Sequence, residues 1–126
     1  MKKFMMSLVV ITTLVCVTLW GTETSNAASW TLVDKKTSSG KITYLDGVKG
    51  GYAKICLKEE IGGARFDLYD NDGENSPMIK AGVFIGNNDC YKFYAAKYVD
   101  GSDNDAEFAL IKTRSSLTSY VLELWD

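Results

Sequence analysis

The feature that most constrains this chain is its punctuation. From Ser29 onward, short runs rich in Val, Ile, Tyr and Phe alternate with clusters of Gly, Asp, Asn and Ser at near-regular intervals. The runs are "SWTLVDKK" (29–36), "KITYL" (41–45), "YAKICLKE" (52–59), "RFDLY" (65–69), "MIKAGVFI" (78–85), "CYKFYAAKYV" (90–99), "AEFALIKT" (106–113) and "YVLELW" (120–125). Such runs, bounded by turn-forming residues, read as strands. No window sustains an apolar period of 3.6, so little helix is expected. The pattern predicts an all-β fold, a small antiparallel β-sandwich or barrel of about eight short strands.

Alternation within the runs assigns faces. Ala53, Ile55 and Leu57 share one side of the third run, against Tyr52, Lys54, Cys56 and Lys58 on the other. Phe66 and Leu68, Phe108 and Leu110, and Leu122 and Leu124 form equivalent apolar sets. A slip of one residue would turn each set to water, so the pattern fixes the register. "MIKAGVFI" is the exception: its only polar side chain is Lys80. It is expected to lie centrally in a sheet or to be covered on both sides.

Ahead of the strands, Lys2 and Lys3 precede an uncharged apolar run from Phe4 to Trp20, and small residues follow. This is the layout of a secretory signal peptide. Cleavage after Ala27 places small residues, Ser25 and Ala27, where the peptidase needs them. The expected organisation is a signal peptide over 1–27 and one β-sandwich domain over 28–126, with no membrane span in the mature protein. Cys16 lies inside the apolar run behind Val15, which does not suit lipid attachment. The expected location is therefore extracellular, the protein being secreted, and the two lysines suggest a bacterial leader. There, Cys56 and Cys90 are expected to form a disulfide. Cys56 stands on the polar phase of its strand and Cys90 follows a turn, so the bridge should be peripheral, joining two strands.

Composition removes most chemistries. The chain has no His, which excludes Ser-His-Asp and Cys-His relays and imidazole metal sites. Neither GxGxxG nor GxxxxGK[ST] nor GxSxG occurs, so phosphate-cradling loops and the nucleophile elbow are absent. Without Lys2, Lys3 and Glu23, the chain's 14 basic and 16 acidic side chains reduce to a net charge of −3. No basic cluster is present, so neither nucleic acid nor an anionic membrane is an expected partner. The catalytic route that composition leaves open is a carboxylate pair acting on glycosidic bonds, with Glu59, Glu60, Glu107 and Glu123 as candidates. Their ordinary strand-edge positions favour a protein that is not an enzyme.

Two acidic loops stand out, "DLYDNDGENSP" (67–77) and "DGSDND" (100–105). Calcium takes six to eight oxygens, and Asp70, Asp72, Asp100, Asp103 and Asp105 could supply carboxylates. An EF-hand frame fails, because aligning Gly73 to the obligatory glycine puts Leu68 at the first ligand position. "DLYDND" resembles the strand-then-Asp pattern of C2-type calcium-binding sandwiches over six residues. The competing reading is that these are turns, for which Asp, Asn and Gly are the preferred residues. In a meander, the loops after the fourth and sixth strands would share one end of the sheet. A second candidate surface is "CYKFYAAKY", where Lys92, Tyr94 and Tyr98 fall on one phase and Tyr91, Phe93 and Lys97 on the other. Tyr beside Lys suits a sugar ring or a partner protein; cross-strand packing is the alternative. The expectation is a small secreted binding protein acting on an extracellular protein or envelope component, without a cofactor unless calcium. A calcium-dependent adhesion module and a carboxylate-dependent hydrolase are the alternatives.

Overall fold

The computed structural model describes residues 29–58, 61–114 and 119–126. The predicted signal peptide, Glu59 and Glu60 lie outside the described residues. Eight strands follow one another: β1 (Leu32–Ser38), β2 (Ile42–Val48), β3 (Tyr52–Lys58), β4 (Ala64–Asp70), β5 (Met78–Ile85), β6 (Cys90–Tyr94), β7 (Ala106–Arg114) and β8 (Tyr120–Trp125). Single turns of 3-10 helix occur at Gly73–Asn75 and Ala96–Tyr98. The described residues contain no α-helix.

The strands form two four-stranded antiparallel sheets, the first in order β1-β8-β3-β6 and the second in order β2-β7-β4-β5. The fold is thus the all-β sandwich expected from the alternation. The connections, however, are not those of a meander. Only β4 and β5 are successive strands paired with each other; every other link passes to the opposite sheet.

The inner faces are those the alternation assigned. Ala53, Ile55, Leu57, Phe66, Leu68, Phe108, Leu110, Leu122 and Leu124 are all buried in one core. Tyr120 is wholly buried as well, and its hydroxyl needs partners inside. It donates to the Gly40 carbonyl at 3.2 Å and shares a 3.0 Å hydrogen bond with the Thr43 hydroxyl, so the only buried Thr among the described residues is satisfied.

β5 does not lie centrally. It is an edge strand, and Met78 and Phe84 are about half exposed. The cause is an irregular register against β4 on both sides of Leu68. Gly82 adopts φ 63°, and its N–H donates to the Asp67 carboxylate at 2.8 Å instead of continuing the ladder. Such a bulge breaks the period of two and twists the edge away from further pairing.

The disulfide Cys56–Cys90 joins directly opposed residues of β3 and β6. It ties the edge strand β6 to the sheet on its outer face, as the polar phase of Cys56 implied.

Candidate functional site

Two places gather chemistry: the end of the sandwich that carries the acidic loops, and the outer face of the first sheet.

At the acidic end, Asp70 closes β4 opposite Phe108 of β7. It shares the inward phase of Phe66 and Leu68, and is therefore buried. The Asp70 N–H donates to the Pro77 carbonyl at 3.0 Å and the Asn71 N–H to the Glu107 carbonyl at 2.9 Å, folding the first loop over the start of β7. Residues Asp100 and Asp105, just before β7, are bridged to each other. Because β4 ends beside the start of β7, the two acidic loops meet; their neighbourhood comes from that pairing and not from a meander. Burial, followed by the charges of Asp72 and Asp100, pushes the Asp70 carboxyl up to about 6 from an ordinary value of 3.8.

The rest of the second loop is answered from within the chain. Lys49, just after β2, forms an ion pair with Asp105, and its ammonium donates to the Asp103 carbonyl at 3.5 Å. The hydrogen bond to Asp105, with the charges of Asp105, Asp103 and Asp126, raises the Lys49 pKa. The Lys49 N–H also donates to the Asp126 carboxylate at 2.8 Å. Asp70 and Asp72 therefore face Asp100, while Asp103 and Asp105 face a lysine. Among the described residues, no three acidic or Cys side chains are arranged to hold a metal ion.

The second place is built by register. On the outer face of the first sheet, Tyr52 lies opposite Tyr94, Lys54 opposite Lys92, and Cys56 opposite Cys90. On the other flank of β3, Trp125 of β8 stands opposite Lys54 and Glu123 opposite Cys56. Trp30 joins them because its neighbour Thr31 exchanges two backbone hydrogen bonds with Asp126, at 2.8 and 2.9 Å. The Lys54 ammonium sits 4.7 Å from the Trp30 ring centre and 5.3 Å from that of Trp125. The Lys92 ammonium sits 5.3 Å from Trp30 and 4.8 Å from Tyr52. Tyr52 and Tyr94 meet edge to face at 5.2 Å and remain half exposed. The nearest carboxylate in the register, Glu123, is engaged by Lys35 at 3.4 Å and by the Trp125 indole N–H at 3.3 Å.

Lys92 and Tyr94 thus share a face as their phase suggested, and Tyr98 does not join them. β6 stops at Tyr94, and the 3-10 turn Ala96–Tyr98 carries Tyr98 onto Phe108, ring centres 6.2 Å apart, at the margin of the core. Glu107 and Glu123 lie on the outer faces of different sheets, on opposite sides of the molecule.

Trp30, Tyr52, Lys54 and Trp125 were not singled out from sequence, although one signal was present. If Cys56 and Cys90 are directly opposed in an antiparallel pair, Lys54 must face Lys92 and Tyr52 must face Tyr94. The bridge alone would have revealed two of these four, Tyr52 and Lys54. The tryptophans carry no such signal, since they come from opposite ends of the domain.

The outer face of the second sheet is more apolar. Ile42, Tyr44, Tyr69, Ala109 and Ile111 line a shallow cleft of about 300 Å³ beneath the Gly73–Asn75 turn. A second cleft, of about 440 Å³, lies between Ile61, Arg65, Phe84 and Arg114.

A family model, the YndA coiled coil domain, matches residues 27–122, and the chain belongs to that family. No curated protein and no solved structure matches it. The coiled coil of the family's name has no counterpart among the described residues, which form strands.

Proposed function

We propose that this member of the family is a small secreted binding protein, not an enzyme, whose working surface is the outer face of the first sheet and whose target is a component of the cell envelope. The observation that carries this reading is the clustering of Trp30, Tyr52, Tyr94 and Trp125 around Lys54 and Lys92 on one flat face. Aromatic rings half open to water offer apolar area with little side-chain entropy to lose, and are enriched where proteins grip partners. The disulfide on the same face supports an oxidising destination, as does the signal-like leader sequence. The absence of His from the sequence and the separation of Glu107 from Glu123 support binding over hydrolysis.

Cosedimentation of the oxidised protein with insoluble cell-envelope material tests the reading. The wild type is expected in the pellet, and Trp30→Ala and Tyr94→Ala variants with unchanged melting transitions in the supernatant. Equal pelleting of wild type and both variants would remove this face from consideration. A calcium-gated adhesion module is the alternative, although no three acidic side chains among the described residues are arranged to hold a metal ion. It requires pelleting to be abolished by chelator.

A further inference from the structure

We infer that the ligand of this face is an acidic polysaccharide, a polymer of sugars carrying repeated carboxylate or phosphate groups. The inference rests on the binding reading above and adds the chemistry of what is bound.

Lys54 and Lys92 are direct cross-strand partners on one face. Side chains so placed have Cβ atoms about 4.5–5.5 Å apart, and like charges there repel. The ion pairs among the described residues use Lys35, Lys36 and Lys49, and leave Lys54 and Lys92 without a carboxylate. What the two ammoniums have instead is rings. Each sits over two of Trp30, Trp125 and Tyr52. A ring quadrupole attracts a cation but carries no net charge, so the paired positive charge is held and not neutralised. An anion lying across both ammoniums would complete it.

The surrounding face has the same sign. By register, Lys35 and Lys58 also point outward here, against the single Glu123. A chain of net charge −2 thus turns a basic patch outward on this sheet. One row further along β3 and β6 stands the half-exposed Tyr52–Tyr94 pair. Two residues along a strand span about 6.6 Å, so a ligand that meets both rows carries its charge and its rings close together in one chain. A free anion would use only the lysines and a neutral glycan only the rings. A polymer of acidic sugars uses both. Single-stranded nucleic acid also combines rings with charge, but it is held by grooves that track its backbone with basic residues, whereas this patch is confined to one face of an acidic protein.

Affinity measurements on the oxidised wild-type protein would use polygalacturonate, phosphomannan, neutral dextran and oligo-dT. The expected result is binding to one or both acidic polymers, weakening with salt, and reduced about tenfold or more in a Lys54→Gln/Lys92→Gln variant. Polygalacturonate against phosphomannan separates carboxylate from phosphate as the recognised group. Dextran bound as well as the acidic polymers, or binding indifferent to the lysine variant yet lost in Trp30→Ala, overturns the acidic ligand while leaving the face as the working surface. Stronger binding of oligo-dT overturns it in favour of nucleic acid, and no binding of either acidic polymer overturns it outright. Binding unchanged in Trp30→Ala and Tyr94→Ala places the failure with the face itself.

Discussion

The acidic end and the lysine face handle crowded like charges in opposite ways. At the acidic end, the chain supplies its own remedy: Lys49 meets Asp105, and Asp70 holds on to its proton nearly to neutrality. On the lysine face no carboxylate is spare, so the ammoniums rest on aromatic rings. Charge neutralised internally leaves little for a ligand to improve. Charge held by rings leaves an anion with a reason to bind. That contrast is the ground for proposing the face, and not the acidic loops, as the binding surface.

The largest expected effect concerns how firmly the face is held. Replacing both Cys56 and Cys90 by Ala opens a loop of 34 residues' separation, which in the chain-entropy model costs about 4 kcal/mol. For a domain of this size that lowers the Tm by on the order of 15–30 °C. Calorimetry of the variant beside the oxidised wild type measures it. A drop of only a few degrees would mean that β6 is secured by packing alone.

Asp70→Asn tests the acidic end. The Asp70 carboxyl is raised from 3.8 to about 6 in the folded state, so the folded protein binds more protons than the unfolded chain between those values. Stability from this group is therefore full below pH 4 and is lost as pH rises through 6. The variant is expected to be more stable than wild type at pH 7, by about 1–2 kcal/mol after solvent screening, and no more stable at pH 4. Urea unfolding at the two pH values gives both numbers. A variant destabilised at pH 7 would show that the ionised carboxylate has a partner there.

Calcium probes the same end from the other side. With no three acidic side chains arranged around a cation among the described residues, millimolar calcium followed by excess chelator is expected to leave the melting transition unmoved. A cation binding the folded state at 100 times its Kd would stabilise by about 2.7 kcal/mol. A shift of that size, absent in Asp70→Asn/Asp72→Asn, would make the acidic loops a metal site. The smallest effect is expected from Lys49→Gln. Its ion pair with Asp105 is exposed on the lysine's side, so the loss of melting temperature should be slight and should fade in high salt.

How far these regions could be read from sequence follows from how local their causes are. Phe66, Leu68, Leu122 and Leu124 were assigned to the core because period-two alternation is written in adjacent residues. β5 departs from the expectation because a bulge at Gly82 interrupts that period, which a glycine within a strand hints at but does not fix. Tyr98 was put in phase with Tyr94 because the end of β6 and the 3-10 turn after it are set by tertiary contacts. Lys49 and Asp105, or Trp30 and Trp125, are brought together by strand order alone. Composition draws attention to the Tyr and Lys of "CYKFY" but cannot supply the neighbours that β3 and β8 contribute.

Strand order has one more consequence, for the timing of folding. β8 lies inside the first sheet, between β1 and β3, and yet is the last of these eight strands to be synthesised. Until those six residues leave the ribosome, β1 has no partner and the β3–β6 pair has one open edge. Non-local pairing of this kind folds slowly, so the first sheet should stay open until β8 is made and close only then. Removing Tyr120–Trp125 would then do more than shorten the protein: it would take out the strand on which half of the sandwich is assembled.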